Sequence, residues 1–285
     1  MKKKLPNLFC VALLGLATFS CSDDQETATY ITDENHVELV GEDNMRDLGG
    51  FVGADNKRVL YRKLFRSGEI SALTTADLEH LATKNIYQII DLRTASERSE
   101  KTDVAIKKTL HYDLSLMDES SSSSNGATNA SDVMGLIISG EMKAEDVMMP
   151  VYAIDDFKIA QWTKIFDLLE SGQTTLWHCT AGKDRAGMTT ALVLFSLGVD
   201  KDIIIEDFMK SNTYLATSNE QTINYINSKY GAGVGEKLIP LLGVKEEYIT
   251  TFINDIESKY GTIDDFLTQT LRVNTDKMRN NFLEK

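Results

Sequence analysis

Apolar positions along most of this chain alternate between two rhythms, short strand-like runs and longer helical ones, but the first apolar block is different in kind. Lys2, Lys3 and Lys4 precede a largely apolar run from Leu8 to Phe19 that closes at Ser20 and Cys21. A basic start, a short apolar stretch and a small residue describe an export signal over residues 1–20, because a permanent membrane helix needs roughly 20 apolar residues. Past it, Ser22-Asp23-Asp24-Gln25-Glu26 opens a polar stretch that cannot pack, so residues 21–35 read as a tether.

The globular pattern begins after the tether. Residues 35–53 read as extended, and Val59–Arg66 has the composition of a strand ending in a turn at Ser67-Gly68. Thr74 is placed to cap a helix over Thr75–Lys84, whose Leu78, Leu81 and Ala82 share one face. Ile86–Leu92 is nearly continuous in apolar residues, the mark of a strand buried on both sides. Thr109–Leu114 follows as another strand, and the serine run 120–126 as a flexible loop inside the domain.

Residues 132–149 place Met134, Leu136, Ile137, Ile138, Met142, Val147, Met148 and Met149 between polar positions. That pattern suits either a mobile apolar cover over a site, within residues 117–150, or a helix packed on the core. Residues 155–170 form an amphipathic helix stopped by Ser171-Gly172. Thr174–His178 is a short strand, Met188–Leu197 is an apolar helix ended by Gly198, and a loop joins the two. Successive helices are expected from Lys201 to Lys285. Together these elements predict one α/β domain over residues 36–285, with a central, mostly parallel sheet flanked by helices and a C-terminal helical layer. With 285 residues, 42% of them hydrophobic, the chain is long enough to bury one sizeable core.

Charge and cysteine usage narrow the function. The net charge is −13, and it becomes more negative when the three leading lysines are removed. No extended basic face exists to attract nucleic acid, so any anion site must be local. Of the three cysteines, Cys10 lies inside the signal and Cys21 at its end, which leaves Cys179 alone in the domain. An unpaired thiol in an exported protein is a hazard unless it does chemistry.

The surroundings of Cys179 suit that chemistry. A cysteine at the end of a strand, shortly before a helix, meets unpaired backbone N–H groups and the positive helix end, both of which favour thiolate. Arg185 adds a planar cationic fork matched to the oxygens of a phosphoryl group. His36, His80 and His111 are scattered without ligand spacing, so no metal site and no cofactor are read.

The string His178-Cys179-Thr180-Ala181-Gly182-Lys183-Asp184-Arg185 has the Cys-x5-Arg spacing behind a histidine, and resembles the phosphate loop of the protein tyrosine phosphatase superfamily. The fuller pattern, with Gly187, is similar to its bacterial branch of tyrosine/serine and phosphoinositide phosphatases. The resemblance extends to Asn44–Gly50, Leu64–Glu69, Asp91–Thr94 with Glu97, and Glu206-Asp207-Phe208 with Asn212 and Tyr214. It implies a cysteine phosphatase fold in which Cys179 attacks phosphorus to form a thiophosphate and Arg185 binds the phosphate. Thr180, Ala181, Gly182, Lys183 and Ala186 would complete the substrate loop, with Lys183 able to hold a second phosphate.

By the same resemblance Asp184 is the general acid, with Asp91 as runner-up; the competing role for Asp184 is a salt bridge to a nearby arginine. His178 is expected to orient the loop. Arg46 and Asp47, with Arg66 and Arg93, would form a charge network behind the loop or help bind substrate. Ala186 stands where the superfamily usually has Ser or Thr, which predicts slower hydrolysis of the intermediate.

The substrate class implied is a phosphorylated protein, with phosphotyrosine first and phosphoserine/threonine or phosphoinositide lipids after it. A non-catalytic phosphate-binding module, resting on Ala186 alone, is the alternative; a rhodanese-like sulfurtransferase does not suit the Lys-Asp-Arg-x-Gly continuation. Leu16–Cys21 resembles a relaxed lipobox, with Thr18 departing from the usual Leu or Val. It implies that Cys21 is acylated and anchors the exported chain to a membrane.

Overall fold

The computed structural model describes residues 34–119 and 130–285. The export signal, Cys21, almost all of the tether and the serine run 120–126 lie outside the described residues.

Five strands form a single sheet: β1 (Arg46–Asp47), β2 (Leu64–Ser67), β3 (Gln88–Asp91), β4 (Leu110–Asp113) and β5 (Thr175–His178). Their spatial order is β1-β2-β5-β3-β4, antiparallel only between β1 and β2. The mostly parallel α/β sheet expected from the alternation of elements is therefore present. Its sequence carries the two-residue period of a sheet covered on both sides. Ile90 and Trp177 enter the larger core while their neighbours Ile89 and Leu176 enter a smaller core on the opposite face.

The helices that cover the sheet follow in chain order. They are α1 (Thr75–Ala82), α2 (Ala95–Glu100), α3 (Ala130–Ser139), α4 (Ala144–Val151), α5 (Asp156–Leu169), α6 (Asp184–Ser196), α7 (Lys201–Met209), α8 (Ser211–Tyr214), α9 (Ala216–Tyr230), α10 (Ile239–Leu242) and α11 (Glu246–Tyr260). Thr74 caps α1 as expected, its hydroxyl accepting from the Asp77 amide while the Asp77 carboxylate accepts from the Thr74 amide. Helix α6 is the central element, and eleven of its residues are buried, from Arg185 to Leu194 and again at Ser196. Trp162 on α5 and Trp177 on β5 each donate an indole N–H to it, at 3.2 Å to Thr189 and 3.1 Å to Thr190.

Three expectations shift. The strand expected over Val59–Arg66 is split, since Arg62 sits at φ 60° in a turn whose amide donates to Asp47, and regular pairing starts at Leu64. The helix expected from Met188 starts at Asp184, because its first turn faces the phosphate loop and lacks the apolar period. Residues 130–151 form two helices where a mobile cover and one packed helix were both open: Ile137 and Ala144 pack with Ile226 and Leu238 in a small separate cluster, and Met148 joins the main core. No helix among the described residues is long and apolar enough to cross a membrane.

The C-terminal helical layer is a structural half of the core, with Tyr248, Ile249, Phe252, Ile253 and Ile256 of α11 buried against α5 and α6. The Phe252 and Trp162 rings lie 5.5 Å apart, centroid to centroid. Phe252→Ala is expected to lower the unfolding free energy by about 3–5 kcal/mol, measured by urea denaturation; a loss under about 1 kcal/mol would show that α11 does not share the core.

Candidate active site

The phosphate loop begins where β5 ends and closes where α6 begins, so Cys179 follows a buried strand and Arg185 occupies the first turn of a helix. Sheet registry aligns the neighbours, with Ser67 of β2 and Asp91 of β3 both opposite His178. Gly182 makes the loop possible. It adopts φ 70°, and a Cβ there would lie 2.4 Å from the Gly68 nitrogen and the Ser67 carbonyl carbon, so only glycine lets the loop lie against β2. No side chain caps the start of α6, which leaves its first amides to an anion.

Arg185 is locked in place. Glu97 of α2 accepts both arms of the guanidinium at 2.6 and 2.7 Å, and the Thr180 hydroxyl bridges the same pair. Glu97 is also the third residue of α2, where its carboxylate accepts from the Thr94 amide and the Thr94 hydroxyl accepts from the Glu97 amide. Burial alone would raise the Glu97 carboxyl, but Arg185 outweighs it and holds the group down at about 2. The fork is thereby aimed before substrate arrives.

Behind the loop lies a second buried charge cluster. Asp207 of α7 accepts from Arg46 and from Arg66, each at 2.8 Å, and all three side chains are almost completely removed from solvent. Arg66 then donates to the carbonyls of Gly182 and Lys183, while Asn44, held by Arg46, donates to the carbonyl of Ala181. These arginines fix the loop carbonyls from behind and do not face substrate. Asp47 stands apart: its carboxylate accepts from the Gly49 and Arg62 amides and shapes the turn before β2.

Asp184 is engaged on both oxygens. Lys183 Nζ lies 3.0 and 2.8 Å from them, and the buried Tyr152 hydroxyl donates to Oδ1. Its ion-pair partner is the adjacent lysine rather than an arginine, and Lys183, only 3% exposed, is paired with Asp184 in the resting site. Tyr152 had no signal in sequence; it is the residue that ends α4. Ala186 is fully buried in the core, so its side chain offers substrate nothing. Its carbonyl accepts from the Thr190 hydroxyl.

Asp91 does not suit the role of a reserve acid. It is fully buried and bonded through both oxygens to Arg93. Burial would raise its carboxyl, yet the nearby His111 and the Arg93 guanidinium prevail and hold it well below the usual carboxylate range. The reading of scattered, unrelated histidines is also corrected. Parallel packing of β5, β3 and β4 sets Asp91 opposite His178 and places His111 two positions earlier, opposite Ile89, and together with Asp103 their ligand atoms all lie within 4.8 Å of one another.

Glu42 is a site residue that the sequence reading passed over. Its Oε1 accepts from the amides of Asn44 and Gly68, and its Oε2 is buried without a partner. Gly68 in turn lies against Gly182 and the Thr180 carbonyl. Burial pushes the Glu42 carboxyl up to about 7 from an ordinary 4.5.

A single thiol under a helix N-terminus, beside a pre-aimed guanidinium and a carboxylate at the same loop, is an arrangement suited to binding and attacking a phosphoryl group, as phosphatases require. Comparison with known proteins is specific: residues 37–284 match the model of the tyrosine phosphatase family, and the chain belongs to that family. A Cupriavidus necator protein named as a candidate tyrosine-protein phosphatase is 31% identical over 246 residues, spanning 84% of this chain and 85% of that one. The triple specificity protein phosphatase PtpB of Mycobacterium tuberculosis is 26% identical over 260 residues, spanning 81% of this chain and 92% of its own. Among solved structures, P. aeruginosa TpbA in complex with phosphotyrosine aligns over 82% of this chain and 94% of its own, at 11% identity and a TM-score of 0.34; nothing about this chain rests on that likeness.

Two outcomes test this electrostatic reading. Because the folded state holds the Glu42 proton more tightly than the unfolded chain, Glu42 costs nothing at and below about pH 4.5. As pH rises to about 7, it removes on the order of 3 kcal/mol of stability. Glu42→Gln should flatten the decline in unfolding free energy between pH 5 and 8, in whole or large part, when both proteins are melted across that range. Asp207→Asn strands two buried guanidinium groups and should cost about 3–5 kcal/mol by denaturant titration, whereas an unchanged midpoint would exclude the cluster as a support of the loop.

Proposed function

We propose that this protein hydrolyses phosphomonoesters through a thiophosphate on Cys179, with phosphotyrosine as the leading substrate class. The observation that carries the reading is the Arg185 fork, held bidentately by Glu97 at the mouth of the loop that bears the only thiol of the domain. A phosphate dianion would accept from Arg185 and from the first amides of α6, which places phosphorus in line with the sulfur. Sulfur attacks phosphorus, the bond to the leaving oxygen breaks, and Asp184 passes a proton to that oxygen. Water then attacks the thiophosphate, Asp184 takes up the water's proton, and inorganic phosphate leaves with the thiolate restored. Substrate anion competes with Asp184 for Lys183, which frees the carboxyl to carry its proton, and Tyr152 positions it. The triple specificity in the name of the M. tuberculosis relative supports testing substrates beyond phosphotyrosine, and phosphoserine/threonine and phosphoinositides are the ones to try.

We also propose that the chain is exported and held at a membrane through acylated Cys21. What supports this is the sequence alone: the basic start, the apolar run and the relaxed lipobox.

The test is hydrolysis of p-nitrophenyl phosphate in EDTA from pH 4 to 8 by residues 22–285. Turnover should vanish in Cys179→Ser. Asp184→Asn should lose about 10²–10⁴-fold with an altered alkaline limb, and Tyr152→Phe should shift that limb while leaving phosphate affinity intact. Phosphate binding without wild-type turnover would refute the enzyme. For the anchor, metabolic labelling with a fatty acid should mark the wild type and miss Cys21→Ser; equal labelling of both would refute acylation there.

A further inference from the structure

Behind the phosphate loop, four side chains from β3, β4, β5 and the segment before β4 converge that the proposed phosphatase chemistry does not use. His178 is completely buried, and its Nδ1 lies 3.4 Å from the Cys179 carbonyl oxygen. A carbonyl can only accept, so Nδ1 carries a ring hydrogen in this contact, and Nε2 presents a lone pair whenever the ring is neutral. That Nε2 stands 3.0 Å from Asp103 Oδ2, and neither buried atom has a hydrogen-bond partner. A neutral His178 and an ionised Asp103 at this distance present two acceptors to one another, and either a second ring proton or a metal cation between them relieves the repulsion.

The remaining members complete a coordination shell. His111 Nε2 is 3.8 Å from Asp103 Oδ2 and 3.9 Å from Asp91 Oδ2, and His178 Nε2 is 3.9 Å from Asp91 Oδ1. Ligand atoms of a tetrahedral Zn²⁺ with bonds of about 2.0–2.1 Å are about 3.3–3.4 Å apart. Four of the separations, 3.0–3.9 Å, bracket that value, with Asp91 turning a different oxygen to each histidine, and one ligand atom from each of the four residues lies within 4.8 Å of the others. The outer contacts are those a metal site needs, with the His178 Nδ1 on a backbone carbonyl and Asp91 and Asp103 both tied to Arg93 at 2.7–2.8 Å. A cavity of about 530 Å³, lined in part by Asp91, Asp103, His111 and Asp113, opens onto the cluster and supplies a path from solvent.

We propose that His178 Nε2, His111 Nε2 and Asp103 Oδ2, with Asp91 as the fourth ligand, bind one divalent transition ion of the Zn²⁺ class. Nitrogen and oxygen donors in this mixture suit Zn²⁺ or Co²⁺ over Mg²⁺ or Ca²⁺. The ion would clamp β3, β4 and β5 together directly behind Cys179. It would steady the phosphate loop without touching substrate.

The test uses residues 22–285 carrying Cys179→Ser, stripped with EDTA and desalted, so that the nucleophile cannot itself hold metal. Titration with Zn²⁺ against a chelating dye should find one ion per chain with micromolar or tighter affinity. His111→Ala and, independently, Asp103→Asn should each weaken it at least about tenfold. Co²⁺ loading should give the visible absorption of a tetrahedral nitrogen/oxygen site, lost in the same variants. Melting curves without metal establish that both variants fold. His111 is part-exposed on the edge strand, which favours an intact fold. Absence of binding, binding unchanged in both variants, or binding confined to the protein that retains Cys179 would overturn the proposal.

Discussion

A loop that is to hold a dianion must keep positive charge buried while it waits, and an unpaired guanidinium or ammonium inside a protein is too costly to persist. Each cation around this loop therefore has a resident carboxylate: Glu97 for Arg185, Asp184 for Lys183, and Asp207 for Arg46 and Arg66 together. The three carboxylates are delivered by α2, by the loop itself and by α7, elements with little else in common. Much of the architecture follows from this need, since the helices that cap the sheet must bring those acids to fixed places. Only the outermost two pairs lie where substrate can displace a partner; the Asp207 cluster faces the backbone of the loop and remains closed.

Legibility from sequence follows how local each feature is. The loop and its helix were readable because Cys179, Arg185 and the apolar run after Met188 lie in one contiguous stretch, whereas the start of α6 was misplaced because Asp184 and Arg185 serve the site and carry no apolar period. The capping pair of Thr94 and Glu97 that starts α2 went unread although it is local, and the same glutamate is spent on Arg185. The split strand before Leu64 was not readable, since the left-handed turn at Arg62 is stabilised by Asp47 from a distant part of the chain. Tyr152 and Glu42 reach the loop only through packing, and no spacing announces them.

The histidines show the same limit from the other side. Spacing along the chain separates His111 from His178, but a parallel sheet makes neighbours of residues that share a face on nearby strands, whatever lies between them in sequence. Ligand sets made in this way are invisible to any motif and obvious once the strand order is known.

The hydroxyl that reaches Asp184 belongs to the residue capping α4, and the helix pair before it packs partly on a small apolar cluster of its own and partly, through Met148, on the main core. Drift in the residues of that cluster can shift or tilt the pair without disturbing Cys179, Arg185 or the strands beneath them. Related enzymes could then diverge in how readily their leaving groups are protonated while their anion cradles stay the same, and the place to look for such divergence is an appendage that never meets the phosphate.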